Sequence, residues 1–381
     1  MAAAACGRFG FSPIAAHDGA LPDAPGPDVC GDASGLDPAA PWPVLYGCPT
    51  NAGRSHAVGP ATTASKLGPM FASPGQTGVA IAAAGQVVFP QYVIGTTTAF
   101  DAATGAVAWS TPTSGSMPHV ALDADGDVIV PSDHGVVYDL DLATGTPRWQ
   151  IQLAGSFSAP MIDAPGTFYV GASIYGVFAV DMVAQKQAWH FTVPSGGGLD
   201  APALGRGKLY FVDLAASQLF ALDAATGAQI FDVAIAGTAQ GSPVLGSDGI
   251  YVATQAAGIA AFDPETGALR WQAPATTEAT VQPALLANGD LVSSTASGAA
   301  FVLAHASGEM RDQFDLGATP TSSPRVDAAD VAYFATSSGE IAVKPRTGDV
   351  VWQTTVSGTA AVGDRALVVL PAQNQFVVIG P

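Results

Sequence analysis

The sequence predicts an all-β fold, an eight-bladed β-propeller of four-stranded antiparallel blades whose ring is closed by an N-terminal strand completing the last blade. Turn residues are abundant, with 44 Gly and 29 Pro among 381 residues, which is typical of many short strands joined by tight turns. Segments such as "GIYVATQAAGIAAFD" (249–263) alternate apolar with small or polar residues, as strands do. An eleven-residue motif also recurs, as "AFDAATGAVAW" (99–109), "ALDAATGAQIF" (221–231) and "AFDPETGALRW" (261–271).

The motif repeats with a period near forty residues. Successive turn positions are separated by 40, 40, 42, 40, 41 and 40 residues. A period of this length indicates a propeller or a solenoid. The turn positions are occupied by Gly105, Gly145, Gln185, Gly227, Gly267, Gly308 and Gly348.

An Asp stands four residues before most of these positions, and a Trp stands four residues after. We interpret the Asp as a turn former whose carboxylate accepts backbone N–H groups, and the Trp as a flat face that packs on the neighbouring sheet. A residue required in every repeat is structural rather than catalytic. The Asp positions are Asp101, Asp141, Asp181, Asp223 and Asp263, and the Trp positions are Trp109, Trp149, Trp189, Trp271 and Trp352.

Seven units carry the turn, and three more strands follow Trp352 without a fourth. The segment "SKLGPMF" (65–71) precedes the first complete unit, where an outer strand belongs, so we predict that it completes the last sheet. Residues 66–381 number 316, or 39.5 per unit for eight units. Such pairing of the two ends removes exposed sheet edges.

The motif A-x-D-x-x-T-G-x-x-x-W on this period resembles the pyrroloquinoline-quinone-type (PQQ-like) propeller repeat over residues 42–381. The segment "PWPVLYGCPTNAGRSHAVGP" (41–60) is similar to the lead-in of such propellers. The family contains quinoprotein dehydrogenases and a BamB-like non-catalytic branch. The resemblance implies that the repeated Trp and Gly are inter-blade docking residues. The pattern is broken at Gln185, Phe231, Ala304, Asp312 and Lys344. We interpret these departures as drift, and the alternative is that these blades are freed to bind something.

The sequence divides into a lipobox-like start with a disordered Asp/Pro/Ala-rich tether (1–40), a lead-in segment (41–65) and the propeller (66–381). Small residues precede Cys6 as at a lipoprotein processing site, so Cys6 is a candidate for lipidation, although the start lacks the apolar region of a signal peptide. Cys30 and Cys48 then remain as a candidate disulfide in an oxidising compartment. A chance cysteine at position 6, and three free thiols, are the alternatives.

Several kinds of chemistry are disfavoured. A net charge of −18 repels nucleic acid and anionic lipid. Quinoprotein enzymes of the family hold calcium and carry adjacent cysteines and site-building insertions, which this sequence lacks. "DADGD" (123–127) lacks the Gly and Glu spacing of an EF-hand, and the histidines lack metal-ligand spacing. We therefore expect no catalytic residue, no metal and no cofactor, with PQQ and calcium as the alternative.

A ligand, if one binds, is expected at the mouth of the central channel. The residues beside the inner-strand prolines are polar and mostly small, and they serve equally well to solvate a water-filled channel. They are Ser116, His119, Ser158, Asp200, Ser242, Gln282 and Ser323.

We expect a monomeric, non-catalytic scaffold at the bacterial cell envelope, outer-membrane-anchored, periplasmic or extracellular, that binds other envelope proteins as in outer-membrane protein assembly. It would touch the membrane only through a lipid anchor. The alternatives are a PQQ-dependent alcohol or sugar dehydrogenase, or a cofactor-binding relic of one, and a carbohydrate-binding surface module.

Overall fold

The structure, a computed structural model, describes residues 29–63, 65–70, 80–82, 85–91, 94–115, 119–163, 166–173, 175–196, 199–255, 257–273, 281–370 and 375–380. Within these ranges the regular structure is β-strand without α-helix. The strands form eight four-stranded antiparallel sheets, which confirms the predicted eight-bladed propeller. No helix in the described part is long and apolar enough to cross a membrane.

Strand β1 (Ser65–Met70) belongs to the last blade. Blades 1 to 4 follow in chain order, each running from its innermost to its outermost strand. Blade 1 contains β2 (Ala80–Ile81), β3 (Gln86–Gln91), β4 (Thr96–Asp101) and β5 (Val107–Pro112); blade 2 contains β6 (Ala121–Leu122), β7 (Asp127–Pro131), β8 (Val136–Asp141) and β9 (Pro147–Gln152); blade 3 contains β10 (Met161–Ile162), β11 (Thr167–Ala172), β12 (Gly176–Asp181) and β13 (Lys186–Phe191); blade 4 contains β14 (Ala203–Gly205), β15 (Lys208–Asp213), β16 (Gln218–Asp223) and β17 (Gln229–Ala234).

Blades 5 to 8 continue the same order. Blade 5 contains β18 (Thr238–Leu245), β19 (Ile250–Gln255), β20 (Gly258–Phe262) and β21 (Leu269–Gln272); blade 6 contains β22 (Ala284–Leu285), β23 (Leu291–Ser294), β24 (Ala299–Leu303) and β25 (Met310–Asp315); blade 7 contains β26 (Arg325–Val326), β27 (Ala332–Thr336), β28 (Gly339–Lys344) and β29 (Asp349–Gln353); blade 8 contains β30 (Thr359–Gly363), β31 (Ala366–Leu370) and β32 (Gln375–Ile379).

The ring is closed by antiparallel pairing of β1 with β32, with Ser65 opposite Ile379 and Leu67 opposite Val377. The last blade therefore has the strand order β1-β32-β31-β30. This confirms the closure predicted from the missing fourth strand.

The core lies between the middle strands of neighbouring blades. The segment "TFYVGA" of β11 is buried along almost its whole length, as is "GVFAVD" of β12, because both faces of each blade are covered by the blades beside it. Outermost strands such as β9 alternate between exposed and half-buried residues. The strand pattern therefore changes from continuous burial to alternation as a blade reaches solvent.

The lead-in segment lies along the innermost strands of the blades. Trp42, whose side chain is 2% exposed, pairs with Ile81 on the innermost strand of blade 1. The segment continues from blade to blade by accepting backbone N–H groups from the innermost strands. Its carbonyls at Pro43, Pro49, Thr50, Ala52 and Gly53 accept from Leu122, Leu204, Leu245, Leu285 and Val326 respectively. The segment is thus bonded to the innermost strands of six blades and lies along the inner edge of the ring, and we call it the cap of the channel.

Residues 29–40 belong to the cap, which corrects their assignment to a disordered tether. Val29, Leu36 and Ala40 are buried, and Cys30 is disulfide-bonded to Cys48, with Cα atoms 5.3 Å apart. A few apolar side chains and one covalent link order a stretch that is otherwise rich in Asp and Pro. Cys6 and the rest of residues 1–28 lie outside the described residues.

Candidate functional site

The repeated Asp residues shape the turn between the third and fourth strands of each blade. The Asp101 carboxylate accepts hydrogen bonds from the Thr104 N–H at 2.7 Å and the Thr104 hydroxyl at 2.8 Å. These bonds favour the ionised form and lower the pKa of Asp101. The same pair of bonds joins Asp141 to Thr144, Asp223 to Thr226 and Asp263 to Thr266, while Asp181 accepts the Ala184 N–H.

The repeated Trp residues reach across to the turn of the next blade. Trp189 Nε1 donates to the Ala224 carbonyl at 3.0 Å, and its ring lies over Gly227, where a Cβ atom would stand 2.6 Å from the indole. Only glycine permits this approach, and its φ of +72° also favours glycine. Equivalent bonds join Trp109 to Leu142, Trp271 to His305 and Trp352 to Pro60, and the glycines Gly145 and Gly308 lie beneath Trp109 and Trp271.

At two of the departures from the repeat, another aromatic residue makes the contact with the next blade. Phe231 replaces Trp in blade 4, and a Cβ atom at Gly267 would still meet its ring at 2.7 Å. In blade 6 the Trp position holds Asp312, but Phe314, two residues further along the same strand, packs against Gly348 at 3.3 Å from its would-be Cβ. These joints keep an apolar contact without the Trp.

The structure brings together three of the residues predicted at the channel mouth. His119, Ser158 and Asp200 line one cavity of about 250 Å³. Burial lowers the pKa of His119 to about 4, so its imidazole is neutral at pH 7. Burial also raises the pKa of Asp200.

The other predicted mouth residues lie around the channel outside that cavity. Gln282 accepts the backbone N–H of Ser242 at 3.0 Å, and the Ser323 carbonyl accepts from Arg325 Nη1 at 2.8 Å. Ser116 lies outside the described residues. The predicted residues thus form an arc from His119 and Ser158 through Asp200 to Ser242 and Gln282, since the Ser242 side chain lies beside the Asp200 carboxyl.

Three further residues of the channel were missed from the sequence. Tyr46 of the lead-in lies near Asp200 and Arg325, and burial and the Asp200 charge raise its pKa. Arg325 and Glu340 are both buried, and they lie near enough for their charges to attract each other. Burial raises the pKa of Glu340 to about 8. At the matching positions, other blades have residues such as Ala203 and Leu219, so comparing repeats would have marked Arg325 and Glu340.

The channel mouth does not fit a quinone with its metal ion. Among the described residues that line the 250 Å³ cavity, Asp200 is the one with a carboxylate. The cavity is also smaller than most ligand pockets, which commonly measure about 300–1,000 Å³. Among the described residues, no three His, Cys, Asp or Glu side chains are grouped so that they could hold a metal ion. The neutral imidazole of His119, the phenol of Tyr46 and the carboxyl of Asp200, whose pKa is raised, suit bound water or a small polar group.

The fold and the repeat together define the class: an eight-bladed propeller built of PQQ-like repeats. The model of a family described as outer membrane protein assembly factor BamB matches residues 95–195 and 176–330, more than half of the chain. The chain belongs to this family. No curated protein matches it in sequence.

Solved structures of both branches share the fold. BamB from Moraxella catarrhalis is 17% identical, with a TM-score of 0.62, and the match covers 84% of this chain and 97% of that one. The europium-containing methanol dehydrogenase is 15% identical, with a TM-score of 0.65 and coverage of 90% and 89%. Quinohemoprotein alcohol dehydrogenase ADHIIG from Pseudomonas putida HK5 is 12% identical, with a TM-score of 0.66 and coverage of 91% and 80%. At these identities the likeness concerns the fold alone.

Proposed function

We propose that this protein is a non-catalytic propeller that binds other proteins at the bacterial cell envelope, as a scaffold of the outer-membrane assembly type. The observation that carries the proposal is the state of the central channel. The lead-in lies along the innermost strands, and the described lining of the mouth offers a 250 Å³ cavity with one carboxylate, that of Asp200. This lining supports a binding role for the surface of the propeller rather than cofactor chemistry in the channel.

Family membership supports the envelope setting, because the family is described as an outer-membrane assembly factor. The Cys30–Cys48 disulfide suits an oxidising compartment outside the cytosol. We propose Cys6 as the lipid anchor. The protein would then be labelled by a fatty-acid probe in cells, and a Cys6→Ser variant would not.

Two measurements test the scaffold function. Titration with PQQ and calcium, followed by absorbance and calorimetry, should give no saturable signal at high micromolar cofactor. Binding near one equivalent would favour the dehydrogenase class and overturn the proposal. Crosslinking in intact envelopes should then join the propeller to specific envelope proteins, and a protein that crosslinks to none would not be a scaffold.

A further inference from the structure

The joint between blades 2 and 3 departs from the repeat at two facing positions. Asp139 lies opposite Trp149 on the neighbouring strand. The residue opposite the Trp or its Phe replacement in five other blades is alanine: Ala99, Ala179, Ala221, Ala261 and Ala342. Across the joint, Gln185 occupies the glycine position with a φ of +51°.

Trp149 consequently docks differently from the other tryptophans. Its ring stacks on Phe168 of blade 3, with centroids 6.3 Å apart and an interplanar angle of 17°. The Nε1 bond to the turn of the next blade, made by Trp109, Trp189 and Trp271, is not made by Trp149 within the described ranges. Gln185, which is exposed, stands where the other joints have a glycine beneath the indole, so this joint lacks the usual Trp–Gly contact.

An acidic cavity of about 490 Å³ lies at this joint. We call it the blade 2–3 pocket; its acidic lining residues are Asp123, Asp125, Asp127, Asp139 and Asp163, and its basic lining residue is Arg148. Arg148 is already engaged, with Nε 2.7 Å from Asp127 and Nη2 2.9 Å from Asp141. The pocket therefore has more negative charge than its own guanidinium can balance.

Asp139 is the member without a partner. Its side chain is 3% exposed, and its Oδ1 atom has no hydrogen-bond partner among the described residues. A buried carboxylate without a partner is costly to keep. Burial and the charges of Asp127 and Asp123 raise the pKa of Asp139 to about 7, as expected where a positive charge is missing.

The remaining lining includes apolar side chains, which favour an amino-acid side chain over a bare ion. Trp149, Ile162 and Met182 line the pocket, and Val183 at its edge is 85% exposed. No group of three donors with metal-binding geometry occurs in the part of the chain described. A guanidinium presents five N–H donors in a plane and stacks on aromatic faces, which matches carboxylates beside an indole.

We propose that the blade 2–3 pocket receives an arginine side chain of a partner protein, with an apolar neighbour of that arginine lying on Val183. The proposal rests on the scaffold function and names the chemistry of the partner. Asp139 accepts the guanidinium N–H groups, Trp149 covers the planar face of the group, and Arg148 keeps Asp127 and Asp141 in place beside it.

The probe is the fluorescently labelled peptide acetyl-Leu-Arg-Leu-amide, and binding is measured by anisotropy. Saturable one-to-one binding is expected, and the citrulline peptide, which has the same shape without the charge, should bind at least tenfold more weakly. Asp139→Ala should also weaken binding at least tenfold. This variant restores the alanine of five other blades, so it should fold. Asp364→Ala removes one exposed charge from the turn between β30 and β31 and should stay within twofold of the wild type.

Three results would overturn the proposal. The citrulline and arginine peptides could bind equally, Asp139→Ala and Asp364→Ala could weaken peptide binding equally, or the arginine peptide could fail to bind. Acetyl-arginine amide binding as tightly as the peptide would assign the pocket to a small guanidinium compound instead. Tight binding of calcium chloride alone, abolished by Asp139→Ala, would make it a metal site. A failed peptide titration with positive crosslinking in envelopes would refute this pocket and leave the scaffold function standing.

Discussion

The Trp–Gly contact between blades can be measured in blade 4, because two of its turn glycines differ only in what surrounds them. Gly207 has a φ of +68° and no atom within 4 Å of a would-be Cβ. Gly227 has a φ of +72°, and its would-be Cβ lies 2.6 Å from Trp189. Alanine at either position meets the same backbone strain, and only at Gly227 does it meet the indole.

The magnitudes follow from this difference. Left-handed backbone costs an alanine about 1–2 kcal/mol, partly offset by about 0.4–1 kcal/mol from the stiffer unfolded chain, so Gly207→Ala should destabilise by about 1 kcal/mol. Gly227→Ala adds overpacking of about 1–3 kcal/mol. It also adds about 1 kcal/mol if the displaced ring loses its bond to the Ala224 carbonyl. The two variants should therefore differ by about 1–4 kcal/mol, with the upper end reached if the hydrogen bond is lost.

Equilibrium urea unfolding of both variants, followed by tryptophan fluorescence and circular dichroism, gives the comparison. Equal slopes against urea would show that the unfolded state is unchanged. If the two variants lose the same stability within about 0.5 kcal/mol, the ring moves aside without cost and the contact does not hold the blades together.

Three further predictions concern buried polar groups. The stability gain of Glu340→Gln over the wild type should be larger at pH 9 than at pH 6. The folded chain holds the Glu340 proton up to about pH 8, so wild-type stability falls by at most about 1.4 kcal/mol per pH unit between about pH 5 and 8. Urea unfolding at both pH values tests this, and a stability difference that does not change with pH would contradict it. Asp139→Ala should raise stability at pH 8, with a gain that shrinks as the pH falls below about 7; thermal melts from pH 5 to 8 check it, and a destabilised variant at pH 8 would show that Asp139 has a structural partner. Asn51→Ala should cost about 2–3 kcal/mol, because Asn51 Nδ2 donates to the carbonyls of Ala201 and Pro243 at 3.1 Å each; urea unfolding measures the loss, and a neutral effect would mean that water replaces the amide.

The propeller could be predicted from the sequence because its information is local and repeated. The D-x-x-T-G turn is held by residues only three apart, as the bonds from Thr104 to Asp101 show. The missing fourth strand after Trp352 was enough to predict the pairing of β1 with β32. Periodicity therefore fixes both the blade number and the closure.

The cap and the channel could not be predicted in the same way, because their contacts join residues far apart in the chain. Asn51 reaches Ala201 and Pro243, and Tyr46 lies near Asp200, across separations for which no sequence pattern exists. Leu36 and Val29, isolated in a stretch rich in Asp and Pro, gave no periodic signal of burial. Their partners are known only once the ring has formed.

Only one of the two unusual residues of the blade 2–3 pocket stands out in the sequence. Gln185 departs from the glycine of the repeat, but Asp139 does not stand out, because an Asp in a strand agrees with ordinary alternation. Only the register, which sets Asp139 opposite Trp149, shows that it replaces a buried alanine. Aligning repeats by strand partners rather than by turn glycines would have found it.

The joints between blades 2 and 3 and between blades 6 and 7 depart most from the repeat. They differ in the side chains that occupy the inter-blade contact, which argues against drift at the blade 2–3 pocket. Between blades 6 and 7 the Trp position holds Asp312, and Phe314 supplies an apolar contact with Gly348, which keeps the joint packed. Between blades 2 and 3 the Trp is present, but Asp139 stands opposite it and Gln185 takes the glycine position. An unpartnered buried carboxylate lowers stability, and a single change to alanine would remove it. A costly group that one substitution could correct is best explained by a use, and a cationic side chain from a partner is the use that its charge and surroundings fit.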